Sequence, residues 1–104
     1  MRRPNVVNKI REVLKRIVPQ ATTILYGSEA RGDARADSDI DLLILLEGKT
    51  MNIKLQKEII ANLYDIEIDT GVEISPKIIL RDQWHSQPFK TPFYINVTND
   101  GIIL

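Results

Sequence analysis

The chain has 104 residues, 43% hydrophobic and 27% charged, with 14 basic side chains balanced by 14 acidic ones and no cysteine. The length suits one small domain covering residues 1–104. Zero net charge argues against a protein built to coat nucleic acid, which wants a basic face, and a chain without cysteine has neither disulfides nor a thiolate metal centre.

No apolar run approaches the roughly 18 residues of a membrane span. Met1-Arg2-Arg3-Pro4 leads into a polar helix rather than a signal peptide, so a cytoplasmic location is expected. The charges are unevenly spread. Arg2, Arg3, Lys9, Arg11, Lys15 and Arg16 face a single acid, Glu12, in residues 1–18. Glu29, Asp33, Asp37, Asp39 and Asp41 outnumber Arg31 and Arg35 in residues 29–41. Two readings of this pattern stand side by side: two solvated faces, or a cation-binding mouth beside a basic surface.

In chain order, Asn5 is a cap for a first helix reaching about Val18, with Val6, Val7, Ile10, Val13, Leu14 and Ile17 as its apolar stripe and Pro19 as its stop. Thr22 to Tyr26 is β-branched and aromatic, hence a first strand. Glu29 to Gly32 is expected to form one helical turn, and Asp39 to Leu46 a second strand. After Asp41 that strand is apolar on both faces, which places it centrally, covered on both sides. Thr50 is the expected cap of a helix from about Met51 to Asp65 or a little beyond, with Leu55, Ile59, Ile60, Leu63, Tyr64 and Ile66 facing the sheet and Gly71 closing the region. Val72 to Leu80 reads as a third strand, and Pro76 within it points to a sheet edge. Residues 81–90 read as a loop with a helical turn. Thr91-Pro92 starts a short helix to about Asn99, Gly101 ends it, and Ile102 to Leu104 is an extended tail. Trp84, Phe89, Phe93 and Tyr94 are expected to pack against the sheet, and His85 to be an ordinary loop residue.

The informative stretch is Tyr26 to Leu46. Strand side chains alternate faces, so Asp39 and Asp41 point the same way and Ile40 the other. Two adjacent carboxylates repel each other, and a hard divalent cation with oxygen ligands relieves that repulsion. Gly27-Ser28 offers backbone N–H groups and a hydroxyl at a helix start, which suits a phosphate. Together these features describe a metal–nucleotide site.

Gly27-Ser28, ten residues, then Asp39-Ile40-Asp41 resembles the signature of the polymerase-β-type nucleotidyltransferase superfamily. The longer string Gly27-Ser28-x-Ala30-Arg31-Gly32 with Ser38-Asp39-Ile40-Asp41-Leu42 resembles its smallest branch, the minimal nucleotidyltransferase (MNT) domains. The resemblance extends along nearly the whole chain, to Pro92-Phe93 and Asp100-Gly101. It implies an α/β fold of the α+β type, with helices on a small mixed sheet of three to four strands. Geometry leads to the same topology. Gly27 ends strand one and Asp39 begins strand two, so those strands run antiparallel if both residues touch one nucleotide. A crossover helix then returns strand three parallel to strand two.

The resemblance also implies transfer of a nucleotide from ATP, or another nucleoside triphosphate, to a hydroxyl, with two Mg²⁺ ions about 3.5–4 Å apart. Asp39 and Asp41 match its metal-binding pair. Glu73 stands where its third carboxylate belongs, although the family more often has Asp there; Glu67 and Asp69 are alternatives if strand three begins earlier. Gly27 and Ser28 match its phosphate-binding turn. Arg31 is a candidate to neutralise the triphosphate or to pair with Asp33 or Asp37.

The chain length leaves little room for an acceptor-binding domain, so the acceptor is expected on a second molecule or at an oligomer interface. MNT domains are often paired with helical HEPN proteins in toxin–antitoxin systems, and some transfer AMP to the toxin. That is the leading expectation. A catalytically weak MNT module that neutralises its partner by docking is the alternative. Modification of a small molecule ranks lower, and templated polymerisation last.

Overall fold

The computed structural model describes all 104 residues. Its elements are α1 (Pro4–Ile17), β1 (Thr22–Tyr26), α2 (Gly27–Arg31), β2 (Ile40–Leu46), α3 (Ile53–Thr70), β3 (Ile74–Leu80), α4 (Arg81–His85), α5 (Pro92–Asp100) and β4 (Ile102–Ile103). The sheet order is β3-β2-β1-β4. Strands β1 and β2 pair antiparallel with Tyr26 opposite Asp41, and β2 and β3 pair parallel with Asp41 opposite Ser75. This is the mixed α/β sheet expected, with β2 inside it and the Pro76-bearing strand at its edge. The terminal tail adds the fourth strand, antiparallel to β1.

The two sheet faces carry separate cores. Helices α1 and α3 cover one, where Val7, Ile10, Leu14, Leu25, Leu42, Ile44, Leu46, Ile59 and Leu63 pack together. The short α4 and α5 cover the other, where Leu43, Leu45, Trp84 and Val97 meet Ile24, Tyr26, Ile79, Phe93 and Tyr94. Alternating β2 residues feed the two cores, which explains why its run after Asp41 is apolar throughout. No helix is long and apolar enough to cross a membrane.

Several expected details shift. Asn5 is not the cap of α1. The cap position falls on Arg3, two residues earlier, and the helix begins at Pro4, whose fixed φ suits a first helical position. A distant carboxylate, Glu29, accepts from the backbone N–H groups of Arg2 and Arg3 just ahead of it. Asn52 rather than Thr50 caps α3, its side chain accepting from the Leu55 N–H at 3.0 Å. The helix then runs to Thr70, where Gly71 adopts a left-handed φ of 72°. Strand β3 starts at Ile74, two residues later than expected. Ile60 and Tyr64 do not face the sheet and stand largely exposed, because adjacent helical residues such as Ile59 and Ile60 point about 100° apart. Phe89 is likewise exposed rather than packed.

Candidate active site

The site is assembled where three strand ends meet on the α4–α5 face of the sheet. Tyr26 closes β1, and the chain turns at once through Gly27, whose φ of 77° lies in the left-handed region open to glycine. A Cβ at position 27 would sit 2.5 Å from Asp41 Oδ2. The backbone therefore comes directly against the Asp41 carboxylate, which a Cβ here would force to shift. Replacing Gly27 by alanine is expected to destabilise the fold by about 1–2 kcal/mol through left-handed strain alone. It should also push the Asp41 carboxylate aside. Urea denaturation reads the first effect, and a change in the Asp41 carboxylate resonance the second.

Asp39 immediately precedes β2 and Asp41 is its second residue, so both lie on the face expected for them. Burial, followed by the charge of Asp39, raises the Asp41 pKa, with Arg31 and Lys77 opposing. Glu73 lies one residue ahead of β3. Its carboxyl is within hydrogen-bonding reach of Asp39, and that contact together with the Asp39 charge raises its pKa, with burial and Glu67 adding to the effect. The register brings Glu73 here, since its carbonyl accepts from the Ile40 N–H at 2.9 Å. Glu67 is not the third member: its Oε1 accepts from the Ile74 N–H at 2.6 Å, holding the start of β3. Asp69 is also elsewhere, paired with Lys9 at 3.0 Å.

Ser28 lies in the first turn of α2. Arg31 closes that helix and pairs with Asp33 at 3.3 Å and Asp100 at 2.9 Å, and its charge still reaches Asp41. Asp37 is not its partner.

Three nearby side chains escaped sequence reasoning. Ser75 donates to Asp39 Oδ2 at 2.9 Å and so fixes that carboxylate. Lys77 reaches over the Phe93 ring, 5.3 Å from its centroid, and its charge acts on Asp41. Both follow Glu73 by even steps along β3, so the two-residue strand period places them on the same face. Tyr26, opposite Asp41, has its hydroxyl pKa pushed up to about 12 by burial and by the Asp41 charge, and its ring meets Phe93 edge-on.

No trio of His, Cys, Asp or Glu side chains closes around a single point. What the structure brings together is a row of carboxylates, Asp39 beside Asp41 and Glu73 against Asp39, with Asp41 and Glu73 each made harder to ionise by its surroundings. That donor set fits a hard divalent cation, which replaces mutual repulsion with attraction.

The family model for the nucleotidyltransferase domain matches residues 7–103. The chain belongs to that family. A candidate protein adenylyltransferase of Methanocaldococcus jannaschii is 39% identical to this nucleotidyltransferase over 80 residues, which are 76% of this chain and 73% of that protein. Two crystal structures share the fold. One is a toxin–antitoxin complex with AMP-PNP, with a TM-score of 0.63 and 21% identity, covering 92% of this chain and 69% of that one. The other is a candidate nucleotidyltransferase from Sulfolobus solfataricus, with a TM-score of 0.54 and 16% identity, covering 96% of this chain and 82% of that one.

Proposed function

We propose that this nucleotidyltransferase transfers AMP from ATP to a hydroxyl of a protein partner, in the manner of an MNT antitoxin modifying a HEPN-type protein. The observation that supports the catalytic part is the packing of Gly27 against Asp41 with Asp39 alongside: a glycine turn of the kind that suits a phosphate lies against a pair of carboxylates. The partner is supported by the name of the M. jannaschii relative and by the toxin–antitoxin neighbour.

In this reading Asp39 and Asp41 would hold Mg²⁺, with Glu73 as the third carboxylate available to it. The bound ions supply charge neutralisation for the attacking and leaving oxygens. The Gly27 and Ser28 N–H groups and the Ser28 hydroxyl bind the triphosphate tail, and Arg31 adds positive charge beside it. The acceptor oxygen attacks the α-phosphorus, a new P–O bond forms, and the bond to the β-phosphate oxygen breaks to release pyrophosphate. The acceptor proton passes to the Glu73 carboxylate. Ser75 keeps Asp39 in place throughout.

The test uses ATP labelled at the α-phosphate, Mg²⁺ and lysate of the source cells. Label is expected on one protein band, and none with the Asp39→Asn, Asp41→Asn double variant. A second reading has its own observation: Glu73 replaces the usual Asp, and its carboxyl already leans on Asp39. Under that reading the domain acts on its partner by docking. Capture of a partner by wild type and double variant alike, with no label on either, favours it.

A further inference from the structure

Helix α3 has two apolar faces, and the chain itself covers only one. Ile59, Leu63 and Ile66 pack on the sheet. Ile53, Ile60, Tyr64 and Ile68 are 56%, 47%, 57% and 68% exposed. At 3.6 residues per turn these four lie within an arc of about 80° on the solvent side. Single exposed apolar residues are ordinary, whereas a contiguous stripe marks a contact surface.

The charges beside the stripe indicate its occupant. Lys57 lies within the same arc and Glu67 on its border; neither forms an ion pair within the chain, and with Glu67 Oε1 taken by the Ile74 N–H, its Oε2 is the oxygen left to answer a second charge. Ten residues apart on one helix, they cannot reach each other. In an antiparallel pair of identical helices, each residue meets the one equally far beyond the centre. A two-fold centre level with residue 62 sets Ile60 against Tyr64 of the second copy and, with no further adjustment, Lys57 against its Glu67. The apolar pair and the charged pair thus select one register independently. We propose that a second copy of this chain covers the stripe, α3 against α3, in this antiparallel two-fold arrangement.

A groove of about 200 Å³ adjoins the stripe, lined by Ile60, Leu63, Tyr64, Glu67, Ile74 and Pro76. It gives the facing Tyr64 room to seat. Ile74 packs on the α3 side of the sheet, so the second copy stands on the face opposite the candidate carboxylates and takes no part in them.

The absence of cysteine makes the register directly testable. Under mild oxidation the I60C/Y64C double variant is expected to form a disulfide-linked dimer. I60C and Y64C alone should not, because like positions are offset by about 6 Å along the axis. Wild type should sediment at twice the 11.9 kDa chain mass, and I60D at the chain mass with an unchanged circular dichroism spectrum. Wild type sedimenting at 11.9 kDa up to its solubility limit overturns the proposal and leaves the stripe to a different protein. Cross-linking of the double variant no better than of the single ones overturns the register. If I60D fails to fold, the cross-linking comparison still decides.

Discussion

Asp41→Asn is expected to abolish nucleotidyl transfer and at the same time to leave the protein slightly more stable. The Asp41 carboxyl is half-buried, and both burial and the neighbouring Asp39 oppose its ionisation. Asparagine has the same shape without the charge, so the repulsion disappears while the packing against Gly27 remains. The same exchange removes a group that the proposed chemistry needs as an anion. Loss of one preorganised electrostatic group costs about 10²–10³-fold in rate, and loss of a cation site more than that. Single-turnover transfer from α-labelled ATP reads the first effect and thermal melting the second. A variant that melts higher and transfers nothing carries the signature of a site kept at the expense of stability. One that melts lower and still transfers would assign Asp41 a structural role.

Glu29→Ala is expected to produce the largest loss of stability of any single substitution on the site side of the molecule. Glu29 is wholly buried. It accepts from the Arg2 N–H, from the Arg3 N–H at 2.8 Å and from Arg3 Nε at 2.7 Å. Both terminal nitrogens of Arg3 are buried without an acceptor, so Glu29 is the only carboxylate answering that charge. Removing one partner of a buried pair costs about 3–5 kcal/mol, against a typical domain stability of about 5–15. Glu29→Gln keeps the volume and accepts some of the same bonds, so its cost should be smaller. Burial pushes the Glu29 pKa up, but the backbone and side-chain bonds from Arg3 and the backbone bond from Arg2 outweigh it, and the net shift is down. Its stabilising contribution is therefore complete above the ordinary glutamate range and is lost as pH falls through the depressed folded value. Urea titrations at neutral and acidic pH should show the wild-type advantage over Glu29→Gln shrinking in acid.

The core of the site was legible because it rests on short-range rules. A two-residue strand period places Asp39 and Asp41 together, a glycine marks the turn, and a crossover helix makes β3 parallel to β2. The same period, applied past Glu73, would have found Ser75 and Lys77. Glu29 was beyond such reasoning. Its place in a short helix says nothing of partners that lie 26 and 27 residues earlier in the chain. Ile60 and Tyr64 were misplaced for a related reason. Apolarity shows that a side chain avoids water and does not show which surface covers it, so a stripe left outside the core reads in sequence like part of the core. The cap of α3 moved from Thr50 to Asn52 because both residues are good caps, and only the packing of the helix chooses between them.

The strand order gives the two sides of the site unequal mechanical footing. Asp41 belongs to a strand hydrogen-bonded on both edges, so freeing it requires breaching the sheet. Glu73 sits at the mouth of an edge strand whose first N–H is held on its open side by one side chain, that of Glu67. Fluctuations that open only the rim of a sheet cost far less than global unfolding. Under the proposed reading, loosening of that rim would withdraw Glu73 from the acceptor side while Asp41, inside the sheet, stays in place.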